Sequence, residues 1–197
     1  MLLRLLLQIL DWLCGGFCLM LLARFIMQWA RASFRNQIGQ FVIAITDWLV
    51  LPARRLLPGL LNVRGLDLPS LLLAWLTQAM YVGLVVGLSG KIGMAGAFVP
   101  ATFGLVALLS AIEVFRLAIY LVMGVVIVSA LLSWVNPYAP LAPVFNAVAA
   151  PFLRPLQRLI PLLGGVDLSP LALLLALQLL LGLLIVFQHA FSPVFIH

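Results

Sequence analysis

Charge is what this 197-residue chain lacks: Asp, Glu, Lys and Arg together make up 8% of it. A soluble domain carries roughly 25%, so the chain cannot cover a water-facing surface. Acidic residues number five, and the basic side is ten arginines with a single lysine, Lys91. There are two cysteines, Cys14 and Cys18, with no haem-attachment signature or metal-ligand spacing around them. They read as small apolar helix residues. Two histidines are present. His189 lies in an apolar run with no second histidine at helical spacing, which gives no support to a haem-ligating pair. A Ser/His/Asp set, a metal cluster and a phosphate-cradling glycine loop are all missing, and the site chemistry of an enzyme is missing with them. No metal site or cofactor is expected. The formal net charge of +6 is scattered between apolar spans and forms no basic patch, which argues against nucleic acid and for phospholipid head groups and membrane topology.

What is abundant is apolar: 65% of the residues. A membrane-crossing helix needs about 20 apolar residues, and four stretches qualify, at 2–30, 69–88, 103–134 and 170–190. The first is too long for a signal-peptide core, carries Asp11 and is followed by no small-residue cleavage site, so it reads as a retained span. Helices alone satisfy their own backbone in lipid, and the expected fold class is an all-α membrane protein.

The chain repeats itself. With Trp29 placed over Trp134, "RFIMQW" lies over "SALLSW". Allowing two extra residues in the first copy aligns Pro52, Arg55 and Pro58 with Pro155, Arg158 and Pro161. Allowing three more aligns Asp67, Leu71 and Gln78 with Asp167, Leu171 and Gln178. The halves divide at 1–98 and 99–197, each a span, a proline-punctuated connection and a second span. Two crossings per half make the repeats parallel, unlike inverted transporter repeats, and give two hairpins of spans.

The connections hold most of the arginines, including Arg31, Arg35, Arg54, Arg55, Arg64, Arg154 and Arg158, against Arg4 and Lys91 opposite. The positive-inside rule then puts the connections in the cytoplasm and both termini outside. Within them, 40–57 and 141–160 read as amphipathic helices lying in the interface or dipping into it. Gln40, Asp47 and Arg54 share one face of the first, while Asn146, Ala150, Arg154 and Arg158 recur every four residues in the second. Pro52, Pro151 and Pro155 are expected to bend or end these helices. Pro58, Pro161, Gly164 and Gly165 mark sharp turns, with Ser169 suited to an N-cap and Pro170 to the first helical position. Asp67 and Asp167 stand just before helix N-termini, as caps or as partners of Arg55 and Arg158. A lipid- or partner-binding surface of Arg54, Arg55, Asp67, Arg154, Arg158 and Asp167 is the sharper reading of the same residues.

Ionisable groups inside a span cost about 2.5–3.5 kcal/mol at its centre, so Asp11, Arg24, Glu113 and Arg116 need partners. The Trp register sets Asp11 over Arg116, and a pair across the repeat interface is expected, with Glu113 one turn from Arg116. An ion pathway and separate snorkelling are the alternatives. Gln78 and Gln178 are candidates for interhelical amide hydrogen bonds.

At "RFIMQWARASFRNQIGQFV", "LPARRLLP" and "FLRPLQRLIPLLGGVDLSPLALLLALQLL" the chain resembles the YggT family, also called YlmG, as two tandem repeats covering nearly all of it. The motif positions are Trp29, Arg54, Arg55, Pro58, Asp67, Trp134, Arg154, Arg158, Pro161, Gly165 and Asp167. The first copy departs at "NVRGLDLPS", with extra residues and Pro and Ser in swapped order. The resemblance implies a multi-pass bacterial inner-membrane protein linked to osmotic or envelope stress, with some members beside cell-division genes. Plastid relatives are associated with haem attachment to a cytochrome b subunit and with nucleoid and thylakoid organisation. The expected role is a non-enzymatic scaffold or stress factor acting on phospholipids and on a partner, either further copies of the chain in a homo-oligomer or a membrane or cytoplasmic protein; the alternative is a small oligomeric channel or transporter in osmotic or ion homeostasis.

Overall fold

The computed structural model describes residues 2–56, 67–88, 99–159 and 167–191. Pro58, Pro161, Gly164 and Gly165 lie outside the described residues. Among the described residues six helices follow in order: α1 Leu2–Trp29, α2 Gln37–Leu56, α3 Leu68–Leu88, α4 Val99–Val135, α5 Ala142–Leu159 and α6 Ser169–Phe191. Four of them, α1, α3, α4 and α6, are long and apolar enough to cross a membrane. Every regular element among the described residues is helical.

The spans pack in a continuous set of neighbours, α1 on α3, α3 on α4, α4 on α6, with α1 also touching α4. α1 and α4 run in the same direction. Cys18, Leu21 and Leu22 of α1 share a cluster with Val114 of α4, while Ile26 and Met27 share another with Val122 and Val126. The same second cluster takes Val148 and Leu153 of α5 and Leu173 of α6, and Trp29 meets Phe152 at a centroid distance of 5.4 Å. The C-terminal ends of α1 and α4 thus meet beside the shorter helix α5.

α2 folds back across the C-terminal half of α1. Its buried residues Val42, Thr46 and Val50 are spaced by four, one stripe of a 3.6-residue period, and Trp48 reaches Phe17. Local chemistry sets this reversal. Arg31 has φ of 53°; its N–H bonds to Gln28 O and that of Ala32 to Met27 O, the double bond of a Schellman stop. Asn36 then caps α2, its Oδ1 accepting from the Gly39 N–H at 2.7 Å. A Cβ on Gly39 would stand 2.6 Å from the Phe34 backbone, so only glycine fits.

Two expectations are corrected here. Pro52, Pro151 and Pro155 do not end their helices; all three lie inside α2 or α5. Ser169 is the first helical residue and not the cap: the Leu168 carbonyl accepts the first helical bond, from Ala172 N–H, and Pro170 follows at the second position.

A non-glycine residue in the left-handed region costs about 1–2 kcal/mol, partly offset by the extra freedom glycine has when unfolded. Arg31→Gly is therefore expected to stabilise the protein by about 0.5–1 kcal/mol in thermal unfolding in detergent, while Gly39→Ala is expected to lower the midpoint.

Candidate functional site

The polar side chains of the first repeat converge on Arg24, which is 6% exposed. Its Nη1 donates to Thr46 Oγ1 and Asp47 Oδ1 of α2, both at 2.7 Å, and its Nε lies 3.3 Å from Asp67 Oδ2 at the start of α3. Arg54 of α2 adds a second guanidinium, Nη2 to the same Asp67 oxygen at 2.7 Å and Nε to Asp67 Oδ1 at 3.3 Å. Ser70 Oγ donates to Asp67 Oδ2 at 2.7 Å. Asp67 is 2% exposed, and its carbonyl accepts from the Ser70 and Leu71 amides, making it the N-cap of α3. Two guanidinium groups thus face two carboxylates. That balance is what lets a charge leave water, since an unpaired buried ion costs several kcal/mol.

The second repeat builds the same place from neutral groups. Ser129 stands five residues before Trp134, as Arg24 stands before Trp29, and its Oγ donates to Asn146 Oδ1 at 2.7 Å. Gln157 stands two after Pro155, as Arg54 stands after Pro52, and its Nε2 donates to Asp167 Oδ2 at 2.7 Å. The Ser169 amide donates to Asp167 Oδ1 at 2.8 Å. Burial raises the Asp167 carboxyl, but hydrogen bonds from Ser169 and Gln157 outweigh it and hold the pKa below its ordinary value.

Several expected partnerships are different in the fold. Asp67 pairs with Arg54 and Arg24, not Arg55; Asp167 takes Gln157, not Arg158. Helical period decides both. Arg54 is two turns from Asp47, and Gln157 three turns from Asn146, so each shares a helix face with a residue bonded to the preceding span. Arg55, Arg154 and Arg158 are exposed. The role of Arg24 as hub, and those of Ser129 and Gln157, were missed. The Trp register held the signal for the first two, as the residue five before each tryptophan.

The expected Asp11–Arg116 pair is absent. Arg116 Nη2 bonds Glu113 Oε2 at 2.5 Å, one turn away on its own helix, and Gln188 Nε2 of α6 donates to Glu113 Oε1 at 2.8 Å. Asp11 is exposed and sits beside Tyr81 of α3. At 1.5 Å per residue Asp11 and Arg116 are about 27 Å along their helices from Trp29 and Trp134, and Glu113 about 32 Å. That is comparable to the hydrocarbon thickness of about 30 Å, so these charges lie a full span's length from the tryptophan ends of their helices. Gln78 is buried, Gln178 exposed. The His189 side chain lies outside the described residues.

A family model described as CCB3/YggT matches residues 3–88 and again 108–188. An uncharacterised protein of Pseudomonas aeruginosa is 38% identical over 87% of this chain and 84% of its own length. The uncharacterised protein YggT of Escherichia coli K12 is 33% identical over 83% and 80%. A third relative, an uncharacterised protein of Vibrio alginolyticus, is 31% identical over 82% and 83%. No solved structure matches.

Removing one partner of a buried ion network costs about 3–5 kcal/mol, and losing one neutral hydrogen bond about 1 kcal/mol. Arg24→Met is accordingly expected to destabilise the protein several times more than Ser129→Ala in chemical unfolding. Because folding lowers the Asp167 pKa from 3.8, its contribution is present above that value and is lost as pH falls through the lower folded one. Asp167→Asn is expected to flatten the acid limb of stability measured between pH 5 and pH 2.

Proposed function

The chain belongs to the CCB3/YggT family, and from that premise we propose that it is a non-enzymatic protein of the inner membrane. It acts as a scaffold or assembly factor in envelope or osmotic stress, holding arginines of α2 and α5 against anionic lipid head groups or an acidic partner surface. The observation behind this reading is the state of Arg55, Arg154 and Arg158. All three are exposed, and none is in an ion pair with a described carboxylate, while Arg24 and Arg54 are neutralised internally. One end of the bundle therefore carries free positive charge beside Trp29 and Trp134, which are 44% and 57% exposed. Tryptophan at a helix end and arginine able to snorkel are the usual furniture of a lipid interface. By the positive-inside rule this end faces the cytoplasm, with both termini outside.

A transport path has less support. The large cavity among the spans, about 890 Å³, is walled by residues such as Leu22, Phe25, Leu72, Trp75, Phe115 and Ile119, and none of Asp11, Glu113 or Arg116 lines it. An ion would meet hydrocarbon there and not polar groups.

Each arginine near an anionic surface contributes about 1 kcal/mol. Arg55→Gln with Arg158→Gln is expected to weaken retention of a glycerol phospholipid by on the order of tenfold or more in native mass spectrometry of the full chain. Unchanged retention would remove the reading. A Glu113-dependent ion flux in proteoliposomes under osmotic shock would replace it with a channel.

A further inference from the structure

Between α4, α5 and the start of α6 lies a cavity of about 270 Å³ whose walls include Ser129, Ala150, Arg154, Gln157, Asp167 and Trp134. We propose that it binds the head group of an aminophospholipid, with the ammonium received by Asp167 and the phosphate by Arg154. Internal symmetry supports this. In the repeat register Ser129 occupies the place of Arg24, and Ala150 the place of Asp47. In the first repeat that pair fills the space with a salt bridge of 2.7 Å; in the second, two short side chains leave it open. The chain thus carries one copy of the site occupied by its own guanidinium and one copy without it.

The charges left behind define the occupant. Asp67 has two guanidinium partners. Among the described residues Asp167 has only neutral donors, such as Gln157 Nε2 and the Ser169 amide, so there its charge is met by dipoles and by no cation. A cation with N–H groups at that carboxylate repeats what Arg24 does at Asp67. Across the cavity Arg154 is in no ion pair among the described residues, and it takes an anion. A simple cation satisfies only the first and is repelled by the second; an anionic glycerol head group has the converse fault. A zwitterion with ammonium and phosphate a few bonds apart satisfies both. Trp134, exposed at the end of α4, marks the level at which such head groups lie. The site shares with the reading above Arg154 and the premise that this end of the bundle meets lipid.

The test is native mass spectrometry of the full chain titrated with ethanolamine, choline and glycerol phospholipids of matched acyl chains. The expected result is a preference for ethanolamine over glycerol lipid of about tenfold, the worth of one charge-assisted hydrogen bond, with choline lipid, which lacks N–H donors, well below ethanolamine. Asp167→Asn is expected to erase the preference. Ser129→Arg combined with Ala150→Asp rebuilds the first-repeat residues in the second, and is expected to abolish ethanolamine binding while the protein unfolds no more easily. Equal retention of ethanolamine and glycerol lipid by the unaltered protein, or a preference that survives either change, overturns the proposal. Arg55→Gln with Arg158→Gln separates it from the broader reading: those changes reduce glycerol-lipid retention and leave ethanolamine-lipid retention unchanged. If Asp167→Asn does not accumulate, Arg154→Gln, on an exposed position, is read instead, with reduced ethanolamine binding expected and unchanged binding overturning the site.

Discussion

A guanidinium taken out of water must find its charge again within reach, and that requirement organises the first half of this protein. Arg24 is nearly the last polar residue of α1 before the chain turns, and it is buried. Its partners lie on two other segments, Thr46 and Asp47 on α2 and Asp67 at the head of α3. Satisfying it therefore fixes where the connecting helix crosses α1 and where the next span begins. Asp67 serves twice, since its carbonyl opens α3 while its carboxylate closes the network. Hydrophobic packing in lipid cannot supply this precision, because lipid tails are as apolar as the helix faces they would compete with.

Duplication allowed the second half to relax that constraint. The same backbone plan, span, short helix and span, is held by Ser129–Asn146 and Gln157–Asp167 hydrogen bonds. Neutral groups cost less to bury and need less exact compensation, so the second site tolerates open space where the first does not. One repeat is then joined internally by ion pairs, while its counterpart has, among the described residues, a carboxylate with no cationic partner and an exposed arginine at a cavity. The apolar clusters joining the helix ends of both halves keep the two sites at one end of the bundle.

The helical class, the four long apolar helices and the tandem family match were legible in the chain. Composition, the length of apolar runs and the spaced recurrence of Trp, Pro and Asp are one-dimensional signals, and lipid leaves few folds to choose among. Partnerships were less legible. Asp11 and Arg116 align in sequence, yet Arg116 pairs with Glu113 a turn away on its own helix. Arg54 and Arg55 are neighbours in sequence but point about 100° apart on a helix, and only the one facing Asp67 joins the network. The prolines of α2 and α5 were expected to bend or end their helices; neither helix ends at them.

What the amino-acid order determined by itself was the solvent, the helical class and the twofold plan, because burial preference and periodicity are properties of residues in a row. Which charges are spent inside and which remain free was decided only by the tertiary arrangement. Arginine's long, flexible stem lets one residue type either close a buried joint or stand at the surface, and the choice depends on how neighbouring helices are turned. The difference between Arg24 with its carboxylates and Ser129 beside its cavity is of that kind, since it exists only once three separate segments share one point in space.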